Sequence, residues 1–237
     1  MKWVKDRSGR FAERPHYLPD EMDVQSEKVI TEFAQARHGK VEYPLTTDDL
    51  TVLIESMTQD LDLYADLTSE GADVEGVTDF FPGSRPRVRI EKKLTTDGRM
   101  ANRFRTTLTH ELGHVVFHDF LFQGGGSASL FERGSSPGSN KCKRDNIVDA
   151  PQANWMEWQA GFACGAFLMP STAFRECIRN YLQGKGLSIT RLGVVSAEGQ
   201  GLITAIVERF AVSRDAARIR LLQKGALSEG GTEGSLF

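Results

Sequence analysis

The sequence predicts an α+β protein with a mainly helical core, a small, mostly antiparallel three-stranded sheet, and a helical C-terminal extension. Three observations lead there. Apolar residues recur at helical spacing in several separate runs. Between residues 61 and 90 the period shortens to two. From 187 to 225 the helical pattern resumes with no strand signal.

Residues 1–19 carry Pro15 and Pro19 among scattered charges and read as an irregular arm. A main domain is expected over 20–183, a helix-turn-helix-like part over 184–226, and a frayed tail over 227–237. Residues 20–37 place Met22, Ile30, Phe33 and Ala34 on one helical face after an acidic start. A second helix is predicted over 47–58, with Thr47 as its cap and Leu50, Leu53, Ile54 and Met57 as its buried stripe. Leu61, Leu63 and Ala65 then alternate with polar residues, as do Val88 with Ile90 and, more loosely, Val77 with Phe80. Pro82-Gly83 marks a turn between the last two strands. The stretch 123–140 holds five glycines and five serines and reads as a flexible surface loop. Helices are expected near 101–118, 155–168 and 171–183, the second of these stopping at Pro170.

The chain of 237 residues is 40% apolar and 26% charged, which excludes disordered and fibrous classes. A net charge of −3 supplies no global basic field for nucleic acid or anionic lipid. No apolar run reaches membrane-spanning length, and the basic start MKWVKDRSGRF lacks the apolar stretch of a secretory signal. Three irregularly spaced cysteines, Cys142, Cys164 and Cys177, argue against a disulfide framework and for a reducing, cytoplasmic setting.

Three of the five histidines fall within nine residues, in THELGHVVFH. His110-Glu111-Leu112-Gly113-His114 is an H-E-x-x-H motif. Residues four apart on a helix lie about 40° apart around the axis and one turn along it, so two imidazoles converge on one ion. Glu111 sits about 100° round from His110, placed to take a proton from water rather than to ligate. Leu108, Leu112, Val115 and Val116 gather on the other side and would face the core. Gly113 weakens the helix, and its missing side chain would let another element approach closely.

A catalytic zinc site needs a third protein ligand. The extended motif with a third histidine is absent, because Phe117 and Phe120 occupy its last two positions. Glu157 is the leading donor, since the face it starts continues through Ala160, Gly161, Cys164 and Leu168, mostly small residues. His118, two turns beyond His110, suits a structural or cleft-lining role better. Asp149 and Cys142 are weaker candidates, and Cys164 reads as a packing residue.

FRTTLTHELGHVVFH, followed downstream by EWQAGFACGAFLMP, resembles the ImmA/IrrE-type zinc metallo-endopeptidases. The resemblance implies a zincin-like core, with His110, His114 and Glu157 as Zn2+ ligands and Glu111 as the catalytic base. It further implies a protein substrate, a helix-turn-helix transcriptional repressor encoded nearby, in bacterial stress or mobile-element regulation. The segment GVTDFFPGSRPRVRI matches the short sheet expected before the active-site helix.

LITAIVERFAVSRDAARIRLLQKG reads as two helices joined at FAVS, the second capped by Ser213. Arg214, Arg218, Arg220 and Lys224 could meet phosphates, which keeps open a DNA-binding regulator or toxin–antitoxin component with a structural zinc. The competing reading is a packed helical hairpin.

Overall fold

The structure, a computed structural model, describes residues 1–123, 138–143, 154–188 and 191–230. Most of the Gly/Ser-rich stretch, the segment holding Asp149, and residues 231–237 lie outside the described residues.

The fold is α+β and mainly helical, as the periodicities predict. The N-terminal arm corrects the expectation of irregularity: β1 (Lys2–Lys5) and β2 (Glu13–His16) form an antiparallel ribbon, Lys2 opposite His16. Asp6 organises its turn, accepting hydrogen bonds from the Ser8 backbone and hydroxyl and from the Phe11 N–H. Phe11 anchors the ribbon in a small cluster with Phe80, Leu121, Trp155 and Met156.

Helix α1 (Pro19–His38) buries Met22, Ile30 and Ala34 and ends at Gly39, whose φ of 70° closes the last turn on the Gln35 carbonyl. Helix α2 (Thr47–Met57) is capped by Thr46, one residue earlier than expected. The reason is reciprocal capping: Thr46 accepts from the Asp49 N–H at 3.0 Å, and Asp49 accepts from the Thr46 N–H and hydroxyl.

The sheet has four described strands, in the order β3 (Asp60–Ala65), β5 (Ser84–Glu91), β4 (Val74–Phe81), β6 (Gly138–Lys143). Strands β4 and β5 form a hairpin that turns at Gly83, with φ of 73°. Strand β3 lies parallel to β5, and β6 runs antiparallel to β4. The expected three-stranded sheet therefore gains a strand, from a segment whose glycines and serines suggested only a loop. Its register pairs Gly76 with Cys142, a partner whose distance in sequence hides it from local pattern.

After the short α3 (Lys92–Thr96), helix α4 (Ala101–His118) crosses beneath the sheet, and α5 (Phe120–Gln123) stacks Phe122 on Phe80. Helix α6 (Trp155–Leu168) lies along α4 at very short range. A Cβ on Gly113 would sit 2.9 Å from Ala160 Cα and 3.0 Å from its carbonyl oxygen. Gly113→Ala should therefore force the helices apart, despite a propensity gain of up to about 1 kcal/mol. The obstacle is backbone, so overpacking of about 1–3 kcal/mol wins. The net cost, up to about 2 kcal/mol, should lower the thermal midpoint by up to about 8 °C in a melting experiment.

Helix α7 (Ser171–Gly184) leads to a hairpin of α8 (Ala197–Phe210) and α9 (Arg214–Gln223), flanked by a minimal parallel pair of β7 (Leu192–Gly193) and β8 (Leu227–Ser228). The pairing of β8 means that the start of the expected tail is held in place. Ala211 takes the left-handed turn conformation with φ of 49°, and Ser213 caps α9 through the Ala216 N–H. Leu202, Ile206, Phe210, Val212 and Leu221 join the same core as Leu108, Leu112 and Phe167, so one apolar interior runs through both helical regions.

Candidate active site

Helix α4 turns a wholly buried face toward α6 and β4, carrying His110, Glu111, His114 and His118. Glu157 enters from the first turn of α6, and the contact at Gly113 sets how close it comes. Its two carboxylate oxygens divide between the histidines: Oε2 lies 3.1 Å from His110 Nε2, and Oε1 lies 3.2 Å from His114 Nε2. One ligand-type atom from each of the three residues lies within 4.8 Å of the others. A buried set of two imidazoles and one carboxylate has the donors to hold one metal ion.

The electrostatics favour a positive charge among these three residues. Burial alone would raise the Glu157 carboxyl, but the two facing histidines outweigh it and hold it well below the usual carboxylate range. Burial works against a charged His114, and Glu157 reverses this, raising the imidazole above its ordinary value. Glu111 goes the other way. Burial raises its carboxyl, and neither the histidines nor Thr78 offset that. A carboxyl shifted upward, toward neutral pH, is the state suited to taking up and returning a proton.

Glu111 is fixed by residues that sequence reasoning missed. Thr78 on β4 donates its hydroxyl to Glu111 Oε2, while Oε1 has no partner among the described residues. Gly76, two residues earlier, lies directly against the same carboxylate, leaving no room for a Cβ. An isolated glycine in a strand pattern is a sign of such close approach, and Gly76 in GVTDF carries that sign. Gly76→Ala should push the Glu111 carboxylate out of place. A displacement of about 1 Å can cost about 100-fold in rate, so we expect a loss of that order in turnover, measured in a cleavage assay, with metal content unchanged.

The remaining candidates separate cleanly. His118 stands outside the three-donor set, with its Nδ1 3.0 Å from His114 Nδ1 and its Nε2 3.0 Å from Gln159 Oε1. Burial, then the adjacent His114, hold it well below its ordinary pKa. Cys164 is a packing residue, 3.2 Å from the Thr109 hydroxyl, and burial pushes its thiol up to about 11. Asp149 lies outside the described residues, and Cys142 is placed only by the backbone of β6.

The cations of α9 are engaged within the protein. Arg214 binds Gln200 and Thr204, Arg218 lies 3.5 Å from Glu229, and Lys224 reaches Asp23 at 2.6 Å and Asp20 at 3.3 Å. Arg220 is buried against Asp23. Arg220 is thereby committed to the packing of the hairpin, while Arg214 and Arg218 stay at the surface.

A buried H-E-x-x-H helix apposed to a carboxylate-bearing helix, on a small sheet, has the donors and layout of a peptidase-type metal site. The family model for the IrrE N-terminal-like domain, Peptidase_M78, matches residues 85–222. The chain belongs to this peptidase family. No curated protein matches the chain. No helix among the described residues is long and apolar enough to cross a membrane.

Proposed function

We propose that the protein is a zinc-dependent endopeptidase that cuts a protein substrate in the cytoplasm, the substrate being a helix-turn-helix transcriptional repressor encoded nearby. His110, His114 and Glu157 would hold the metal. A bound zinc ion would supply Lewis-acid polarisation of the scissile carbonyl and lower the pKa of water toward neutrality. Glu111 accepts the proton of the attacking water and returns it to the departing amine. Thr78 and Gly76 keep that carboxylate at its post from the strand side.

The observation that carries this reading is the contact of one Glu157 carboxylate with both histidine Nε2 atoms, beside Glu111 on the same buried surface. The test is to incubate the zinc-loaded protein with the repressor encoded next to it. We expect one discrete cut, abolished by a chelator and restored by zinc. An intact repressor at equimolar enzyme would remove the substrate assignment. Cleavage that survives chelation would remove the metal mechanism.

A further inference from the structure

A chain of hydrogen bonds leaves the site through a histidine and a glutamine with no part in the reaction as written above. It runs from His114 Nδ1 to His118 Nδ1 at 3.0 Å, from His118 Nε2 to Gln159 Oε1 at 3.0 Å, and from Gln159 Nε2 to the Pro15 carbonyl at 3.1 Å. All three side chains are buried. Its far end is the backbone of the N-terminal ribbon, at β2.

The direction of each bond follows from its last member. A backbone carbonyl only accepts, so the Gln159 group facing Pro15 is the NH2, and the amide oxygen faces His118. That oxygen only accepts, so His118 carries its proton on Nε2 and presents a lone pair at Nδ1. His114 must then donate from Nδ1, and its Nε2 is the atom turned toward Glu157. His110 has no such support, since its Nδ1 has no partner among the described residues.

We propose that His118 and Gln159 are positioning residues that, anchored on the Pro15 carbonyl, fix the tautomer and ring orientation of His114 so that its Nε2 lone pair is presented to the metal. The inference rests on the reading of His110, His114 and Glu157 as a metal centre. Outer hydrogen-bond partners of a ligating histidine commonly change metal affinity by about 10–100-fold when removed.

The test uses the full chain labelled with 15N-histidine and two readouts. In the metal-free protein, long-range 1H–15N spectra show which imidazole nitrogens carry protons. We expect a proton on His118 Nε2 and on His114 Nδ1. Zinc affinity is read by competition with a chromophoric chelator. Gln159→Met should weaken it by about 10–100-fold with the circular dichroism spectrum unchanged. Gln159→Glu keeps an acceptor before His118 but has no donor for the Pro15 carbonyl, so it should recover part of the loss and no more, which a merely structural residue would not predict. A proton on His118 Nδ1 in the native chain, or wild-type zinc affinity in Gln159→Met, would overturn the relay while leaving the peptidase reading intact. Native protein that shows the expected protons yet binds no zinc would overturn both the metal centre and the positioning role.

Discussion

Glu111→Gln is expected to slow peptide cleavage by about 100- to 10,000-fold, the usual worth of a positioned general base, without releasing the metal. Glutamine has the size and shape of glutamate, and its amide oxygen can still accept the Thr78 hydroxyl. Only the capacity to take a proton is lost. The fold should not suffer, because the native carboxyl is buried and its upward shift means that the charged form is disfavoured there. A neutral amide removes that penalty, so the melting temperature should stay level or rise. The paired measurements are single-turnover cleavage and metal content by elemental analysis. A variant that keeps its zinc and cuts at the native rate would show that Glu111 is not the base. A variant that loses both would show that it ligates instead. Glu111 does not belong to the three-donor set, which speaks against ligation and for loss of cleavage with the metal retained.

The parts of this molecule that were legible in the sequence are those whose information is local. The helix bearing the two histidines and the glutamate declares itself because residues four apart must share a face. The small residues of α6 announce a close approach, and Gly113 against Ala160 is that approach. Glu157 was harder. Its position in a first helical turn is common for any acid, and the family resemblance, more than the pattern, singled it out. What stayed hidden is what depends on pairing across distance. Strand β6 exists because β4 offers an open edge, and nothing in its own sequence, GSNKCK, reports that. The N-terminal ribbon is similar: Trp3 and Val4 are too few to show a period, and Pro15 argues against a strand unless that strand lies at an edge. Thr78, Gln159 and Pro15 act through isolated contacts between elements, which no periodicity encodes.

The largest loss of stability is expected outside the candidate site, in Asp23→Ala. Asp23 on α1 and Arg220 on α9 are 3% and 1% exposed, and they form an ion pair in the interior. The guanidinium lies 5.3 Å and 5.8 Å from the ring centroids of Phe162 and Phe174, and among the described residues it otherwise donates only to the Met169 carbonyl, at 3.4 Å. Its Nε and Nη1 have no hydrogen-bond partner among the described residues. Burial already pulls its pKa down, and Asp23 is the main group opposing that. Without Asp23 the buried cation would lose its ion-pair partner and keep only the more distant Glu27 charge, at a cost of about 3–5 kcal/mol. For a chain of this size the midpoint should fall by about 6–20 °C. Arg220→Met is the informative contrast. It leaves Asp23 with Lys224 at 2.6 Å and fills the space beside the rings with an apolar chain, so the loss should be much smaller. Equal losses in the two variants would mean that packing, rather than the unpaired charge, sets the energy. The asymmetry also bears on the C-terminal hairpin. Phe162 belongs to α6, the helix that carries Glu157, so Arg220 joins α1 and α9 to the scaffold of the site. An arginine committed in this way is unavailable to phosphate, and loosening it should lower zinc retention during heating before it changes anything on the outer face of α9.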